Sequence, residues 1–341
     1  MDVKTNIPLR DYTTIHLGGN AAFLAEAHSA EELAALYKNA KKVQQPVFII
    51  GGGSNLIVPD AGFAGLVIVN RIPGFDIIED TDEATTIKIG AGENWDSVVE
   101  RTVGLNLTGI ESLSAIPGTA GGAPVQNIGA YGQEIADTMA SLEAYDTQAD
   151  NFIRLDARDC GFSYRHSIFR GSKSGRYAIT SITLRLIKGK PQPPFYDALQ
   201  KYLDEHGITD YTPASIRGAV IAIRADKLPD PARLPNAGSF FKNVIVEDWQ
   251  LRDLQDTNPD MPSFKMDDTH YKIPTGWLIE QTGFKGQLLH GMRVHTGNAL
   301  VLINESATGY ADLAAARQEI IEGVRELFNI TIEQEPLEMA S

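Results

Sequence analysis

Thiols are almost absent: Cys160 is the single cysteine in 341 residues. One thiol closes no internal disulfide and builds no thiolate cluster for structural zinc. The seven histidines include no His-x-x-x-His pair that would share a helix face, so no metal is expected. Long apolar runs are missing as well. Stretches such as Ala299 to Ile303 fall far short of a bilayer span, and Met1-Asp2-Val3-Lys4-Thr5 carries no apolar signal-peptide core. A cytoplasmic protein is expected, with no membrane contact. Positive charge is in deficit, 30 Lys and Arg against 44 Asp and Glu, for a formal net charge of −14. No basic run interleaves with aromatics, which argues against nucleic acid and anionic membranes as partners. Any anionic ligand must be held by local charges.

The familiar phosphate fingerprints are absent too. No Gly-Lys-Ser/Thr follows a glycine loop, which excludes a P-loop, and no Gly-x-Gly-x-x-Gly stands at a strand-to-helix turn. Gly90-Ala91-Gly92-Glu93-Asn94-Trp95 comes nearest and lacks the third glycine.

What the chain does have is two glycine-rich loops. Ser112 to Gly132 is dense in small residues yet too apolar for a linker. Its glycines, among them Gly118, Gly121, Gly122, Gly129 and Gly132, allow the backbone to approach a ligand, while Pro117 and Pro124 stiffen the path. Earlier, the short apolar run Pro46 to Ile50 reads as a buried strand entering Gly51-Gly52-Gly53-Ser54-Asn55, where free amides and two polar side chains suit a diphosphate. Either loop alone is more often a tight turn than a ligand site. Together they point to a long, phosphate-bearing cofactor.

At 43% hydrophobic and 22% charged, the composition is that of an ordinary globular protein, long enough for two or three domains. Ala21 to Ala27 reads as a strand, and Ser29 with Glu32 three residues on forms a capping box for a helix through about Lys42. With the strand Pro46 to Ile50, this is a small α/β domain over residues 1–70. Residues 71–226 read as sheet-rich, with strands over Thr85 to Ile89, Ser141 to Asp146 and Tyr177 to Leu186. The Lys188 to Pro194 segment is an extended, proline-rich loop delivering Phe195 and Tyr196. A third domain covers 227–330, and 331–341 is expected to pack back on the first. An amphipathic helix over Leu313 to Phe328 puts Leu313, Ile320, Ile321, Val324, Leu327 and Phe328 on one face. Ile330 to Glu335 alternates as a strand would, placing Glu333 and Glu335 on the same face, roughly 7 Å apart.

Three polar settings could carry chemistry. Arg165, within Phe162-Ser163-Tyr164-Arg165-His166-Ser167, suits a bidentate grip on a carboxylate or a structural ion pair. Ser239, within Asn236-Ala237-Gly238-Ser239-Phe240-Phe241-Lys242-Asn243, lacks the Gly-x-Ser-x-Gly elbow of a hydrolase, and most serines in such places are capping or turn serines. Glu333 and Glu335 could form no more than a solvated acidic edge.

Taken in order and spacing, these motifs resemble the UDP-N-acetylenolpyruvoylglucosamine reductase family over nearly the whole chain. The motifs are Gly51-Gly52-Gly53-Ser54-Asn55, Ile116-Pro117-Gly118-Thr119, Pro124 to Gly132, Tyr164-Arg165-His166-Ser167 and Asn236 to Asn243. The resemblance implies an α+β protein of three domains, two forming an FAD-binding fold of the vanillyl-alcohol oxidase type and the third binding substrate. It implies noncovalent FAD, since Ser54 and Asn55 follow the first glycines where many oxidases of that fold tether flavin through a histidine. The cofactor would lie on Gly51, Gly52, Gly53, Ser54, Asn55, Pro117, Gly118, Thr119, Ala123, Gln126, Asn127 and Gly129. NADPH would donate hydride, and the enolpyruvyl ether of UDP-N-acetylglucosamine would be reduced to UDP-N-acetylmuramate for peptidoglycan. Arg165 and Glu335 would stabilise the enol-like intermediate, and Ser239 would supply the proton. The proline-rich insertion looks like the family form with an extra tyrosine loop, so Tyr196 would reach the diphosphate, joined by Lys227, Asn243 and Asn298. Two departures stand out: Phe264 where some relatives have tyrosine, and Glu335-Pro336-Leu337 in place of a glutamate, valine, basic residue ending. The alternatives are an oxidase on the same fold and a nucleotide-sugar-binding protein without catalysis.

Overall fold

The structure, a computed structural model, describes residues 2–340. The chain divides into two compact units. The first comprises Met1–Ile7, Ala21–Gly53 and Phe63–Asp226; the second comprises Pro8–Asn20, Ser54–Gly62 and Lys227–Ser341.

In the first unit, a four-stranded sheet runs in the order Val3–Pro8, Asn20–Ala27, Phe63–Asn70, Val47–Ile50, and the last three of these are parallel. The crossover helix α1 (Ala30–Lys42) starts where the sequence says it should. Ser29 Oγ accepts the Glu32 N–H at 3.1 Å, and the Glu32 carboxylate accepts from the His28 N–H, one residue earlier than an ideal capping box. Leu33, Leu36 and Ala40 of α1 are buried with Leu66 and Ile68 of the sheet.

An antiparallel sheet follows in the same unit. Its order is Asn151–Asp156, Met139–Asp146, Tyr177–Lys188, Ala84–Gly90, Phe75–Asp80, with Leu107–Thr108 also pairing on Tyr177–Lys188. Helix α2 (Trp95–Gly104), capped by Asn94 Oδ1 on the Ser97 N–H at 3.0 Å, packs its Trp95, Val98 and Val99 into this sheet's core. The glycines of the imperfect fingerprint are packing positions. A Cβ on Gly90 would lie 2.4 Å from the Pro73 carbonyl carbon, and one on Gly92 would lie 2.3 Å from that of Arg71.

Beyond the proline-rich loop stand two helices that the sequence reading did not separate from it, α3 (Asp197–Glu205) and α4 (Pro213–Lys227). Leu199, Leu203, Ile216, Val220 and Ile223 form a small core of their own, with Tyr131 and Phe195 against it.

In the second unit, an antiparallel sheet has the order Asn236–Ser239, Val301–Asn304, Met292–Val294, Leu288–Leu289. A second sheet joins Val244–Glu247, His270–Ile273 and Phe264–Lys265. Three helices complete the unit: α5 (Asp248–Thr257), α6 (Thr275–Gln281) and α7 (Tyr310–Phe328). Asp60 accepts the N–H groups of Tyr310 and Ala311, tying down the start of α7.

Two expectations fail here. On α7 the buried stripe is Leu313, Ala316, Ile320, Val324 and Phe328, while Leu327 is exposed, since it lies about 100° around the helix from Phe328. Residues 330–335 form no regular strand. A single bridge pairs Gln334 with Phe241, and Glu333 and Glu335 occupy unlike environments, one exposed and one buried.

Candidate active site

In the first unit the two glycine-rich loops meet. A Cβ on Gly52 would lie 2.9 Å from the Cα of Gly118, and one on Gly51 only 2.3 Å from Thr119 Oγ1. The loops touch backbone to backbone because both glycines lack a side chain. Gly53 at φ +63° and Gly118 at φ +126° make the turns that permit it. Gly52, Pro117 and Gly122 remain exposed, so bare backbone faces outward.

Buried hydrogen bonds hold the longer loop in place. Trp95 Nε1 donates to the Leu113 carbonyl at 3.0 Å, and the Asp96 carboxylate accepts the Ala115 N–H at 2.6 Å. Glu111 is buried and accepts from Thr108 Oγ1, the Gly109 N–H and Gln133 Nε2, while Gln133 Oε1 takes the Ser112 N–H. On the far side, Trp95 N–H donates to Gly118 and Ala120 N–H to Glu93. A loop so anchored presents a fixed surface.

Of the remaining expected cofactor residues, Ala123 and Asn127 are buried. Asn127 is an internal strut: Nδ2 donates to Glu134 and to the Ser163 carbonyl, and Oδ1 accepts the Ala136 N–H. Gln126 Oε1 accepts from Arg170 Nη1 at 2.9 Å.

Arg165 occupies the second position of a two-residue turn. Ser163 and His166 exchange backbone hydrogen bonds at 3.2 and 3.0 Å, leaving Arg165 left-handed at φ +53°. A non-glycine residue there costs about 1 kcal/mol, a strain typical of functional positions. Its Nη2 donates to the Gly129 carbonyl at 3.0 Å, and a Cβ on Gly129 would lie 3.3 Å from Nη1, so this glycine seats the guanidinium. Ser167, fully buried, donates to the Val125 carbonyl at 2.6 Å and fixes the turn to the same loop.

Tyr196 precedes α3, partly exposed, with its ring edge-on to Tyr131 at 6.2 Å between centroids. Burial raises the pKa of both phenols. Tyr131, at φ +48°, is a residue the sequence reading passed over. So are the two arginines of α4. Arg217 grips Asp96 with both nitrogens, at 2.6 and 3.0 Å. Burial opposes ionisation of Asp96, but Arg217 and the Ala115 N–H prevail and hold it below the usual carboxylate range. Arg224 has its Nε sealed from solvent with no hydrogen-bond partner among the described residues.

In the second unit, Ser239 ends its strand opposite Val301, half-buried, just before the fully buried Phe240 and Phe241. The segment after Ser239 pairs with the chain's end. Glu335 N–H donates to the Phe240 carbonyl at 2.8 Å, and Lys242 N–H to the Glu333 carbonyl at 2.9 Å. Glu335 is 8% exposed. The Glu333 side chain is 73% exposed and pairs with Lys242 at 3.0 Å.

The other expected substrate residues differ in freedom. Asn243 Oδ1 accepts the Thr275 N–H at 3.1 Å, at the start of α6, and Asn298 Oδ1 closes a local turn on the Leu300 N–H. Lys227, the last residue of α4, is exposed. Phe264 lies beside Lys272, whose ammonium stands 5.7 Å from the ring centroid. Ser54 and Asn55 are half-buried, and the Asn55 carbonyl accepts the Leu337 N–H. Among the described residues no group of three or more His, Cys, Asp or Glu could hold a metal ion, and no helix is long and apolar enough to cross a membrane.

Residues 21–151 match the family model of an FAD binding domain, which defines a flavin-binding protein. Residues 230–338 match the C-terminal domain of UDP-N-acetylenolpyruvoylglucosamine reductase. The chain is 40% identical over 330 residues to the UDP-N-acetylenolpyruvoylglucosamine reductase of Cupriavidus pinatubonensis, covering 97% of each chain. It is 39% identical over 341 residues to that of Dechloromonas aromatica, covering 99% of each. The chain belongs to the UDP-N-acetylenolpyruvoylglucosamine reductase family. Its fold is that of the crystal structure of the Thermus caldophilus enzyme, with a TM-score of 0.68 at 22% identity over 99% of this chain and 98% of that one.

The touching glycine loops fit the cofactor. Backbone amides free of side chains, on two loops held by buried hydrogen bonds, suit the diphosphate of FAD.

Proposed function

We propose that the chain reduces UDP-N-acetylglucosamine enolpyruvate to UDP-N-acetylmuramate, with FAD as cofactor and NADPH as hydride donor, in peptidoglycan precursor synthesis. The observation that carries this reading is the end-to-end likeness to reductases of that name, at about two residues in five. A cytoplasmic location and action on small molecules belong to the same reading.

A bound FAD supplies two-electron storage between the two substrates. Gly51, Gly52 and Gly53, with Pro117, Gly118 and Thr119, would hold its diphosphate through backbone groups. Ser54, Asn55 and Gln126 would add polar contacts, and Ala123, Asn127 and Gly129 would shape the wall. Tyr196, Lys227, Asn243 and Asn298 would hold the nucleotide diphosphate of the substrate.

The chemistry adds a hydride to the terminal vinyl carbon and a proton to its neighbour, consuming one NADPH and one proton per product. Negative charge builds on the substrate carboxylate as the hydride adds. Arg165, rigidly aimed by its turn, would neutralise that charge, and Glu335, largely shielded from water, would orient the carboxyl end. The Ser239 hydroxyl would then protonate the carbon. Serine is a weak acid, so this step depends on an aimed Oγ and a strongly basic intermediate.

The test is turnover by purified, FAD-replete protein. Without oxygen, NADPH consumption beyond the one equivalent that reduces the flavin occurs only when the enolpyruvyl nucleotide is present, and UDP-N-acetylmuramate accumulates in equal amount. Sustained consumption without that substrate, or none beyond one flavin equivalent with it, refutes the assignment.

A further inference from the structure

Arg217 and Arg224 lie seven residues apart on α4 and so face the same way, two turns from one another. Their surroundings differ sharply. Arg217 is saturated by Asp96. The Arg224 Nε is buried and has no hydrogen-bond partner among the described residues. Its electrostatic neighbours are Tyr131 and Asp96, which favour its charge, and Arg165, which repels it. Asp96 is already committed to Arg217 and the Ala115 N–H, and the Tyr131 phenol is neutral, its own pKa raised by burial. Burial leads these effects, so the guanidinium is held below its ordinary range.

Two guanidiniums that repel each other, beside a phenol that can donate, become mutually favourable once an oxyanion lies among them. We propose that Arg224, with Arg165 and the Tyr131 hydroxyl, binds an oxyanion of the nucleotide-sugar substrate. This inference rests on the reductase reading and adds a binding residue to it. Because Arg165 would neutralise the enolpyruvyl carboxylate, that group is the expected oxyanion, with a phosphate of the diphosphate as the alternative. Both suit the planar fork of an arginine, and the experiment separates them.

FAD-loaded wild-type, Arg224→Gln and Arg224→Lys proteins are titrated with UDP-N-acetylglucosamine, which has the diphosphate alone, and with its enolpyruvyl ether, which has both groups. Flavin absorbance changes and calorimetry report Kd. The Gln variant is expected to weaken binding at least about tenfold, with lysine restoring part of it because charge returns without the fork. Weakening toward the ether alone assigns the carboxylate, as Arg165 requires; weakening toward both ligands assigns the diphosphate and takes Arg165 from the carboxylate. Equal affinities in wild type and in a Gln variant with full flavin content and unchanged melting temperature overturn the proposal. If the Gln variant does not fold, the wild-type Arg224 Nε resonance, assigned by its loss in the Lys variant, decides. It shifts when ligand binds, and a resonance that neither ligand moves overturns the proposal. Wild-type protein that binds neither ligand refutes the reductase reading, and this inference with it.

Discussion

The main-chain N–H of Glu335 donates to the carbonyl of Phe240 at 2.8 Å, so the last turn of chain is set in register with the strand that ends in Ser239. Register decides between two glutamates. Shifting this pairing by two residues would put the exposed Glu333 in the place of the buried Glu335.

Glu335→Gln and Glu333→Gln therefore differ widely. The exposed Glu333 to Lys242 pair contributes at most about 1 kcal/mol, and its loss leaves turnover within about twofold. Loss of the Glu335 charge is expected to slow reoxidation by the enolpyruvyl substrate by about 10² or more. Stopped-flow of the second half-reaction gives both numbers, and equal losses would remove Glu335 from its role.

Ser239→Ala keeps the backbone register and removes only a hydroxyl. It is expected to accept hydride from NADPH and to fail in the second half-reaction by about 10² to 10⁴. Turnover at the parent rate would exclude Ser239 as the proton source.

Gly51→Ala drives a methyl to within 2.3 Å of Thr119 Oγ1, an overpacking that costs about 1–3 kcal/mol and parts the two loops. Flavin content of the purified protein should fall. The next contact of that methyl is at 3.5 Å, so adding Thr119→Ala should restore flavin binding. Failure of the double variant to recover would mean that the loops do not meet as described.

Asp146 accepts the single Nε–H of Arg176, shared between its two oxygens, and a second hydrogen bond from Nη2, with the Gln148 and Ala149 N–H groups behind it, and these hold its pKa down to about 2. A carboxylate depressed on folding stabilises the protein above its unfolded value of about 3.9 and loses that contribution as pH falls through the folded value. Asp146→Asn is expected to melt several degrees below wild type at pH 7. The gap should close between about pH 4 and pH 2, and thermal unfolding across that range tests it. A gap independent of pH would show that the pair adds nothing through charge.

The legible parts of the fold were those where local chemistry and burial agree. Ser29 and Glu32 mark the start of α1, and the short β-like runs Thr85 to Ile89 and Tyr177 to Leu186 fall within the largely buried strands Ala84–Gly90 and Tyr177–Lys188. The chain's end misled because Gln334 alone bridges to Phe241, and one bridge does not sustain alternation. Helices α3 and α4 were obscured by the prolines before them, although a signal was present: Thr212 and Ser215 exchange capping hydrogen bonds around Pro213. In the site, the glycine loops could be read from local motifs, whereas the turn that carries Arg165 was not read. Arg224 could not be read either, since its meaning lies in Tyr131 and Arg165, 93 and 59 residues away by subtraction of their numbers.

The most direct test of the whole account is an anaerobic titration. Protein reduced with one equivalent of NADPH is mixed with one equivalent of UDP-N-acetylglucosamine enolpyruvate, and the oxidised-flavin absorbance is followed. The account predicts full recovery of that absorbance without oxygen, with UDP-N-acetylmuramate formed in equal amount. A flavin that stays reduced until air is admitted would contradict it, and rapid reoxidation in air would then favour an oxidase on the same fold.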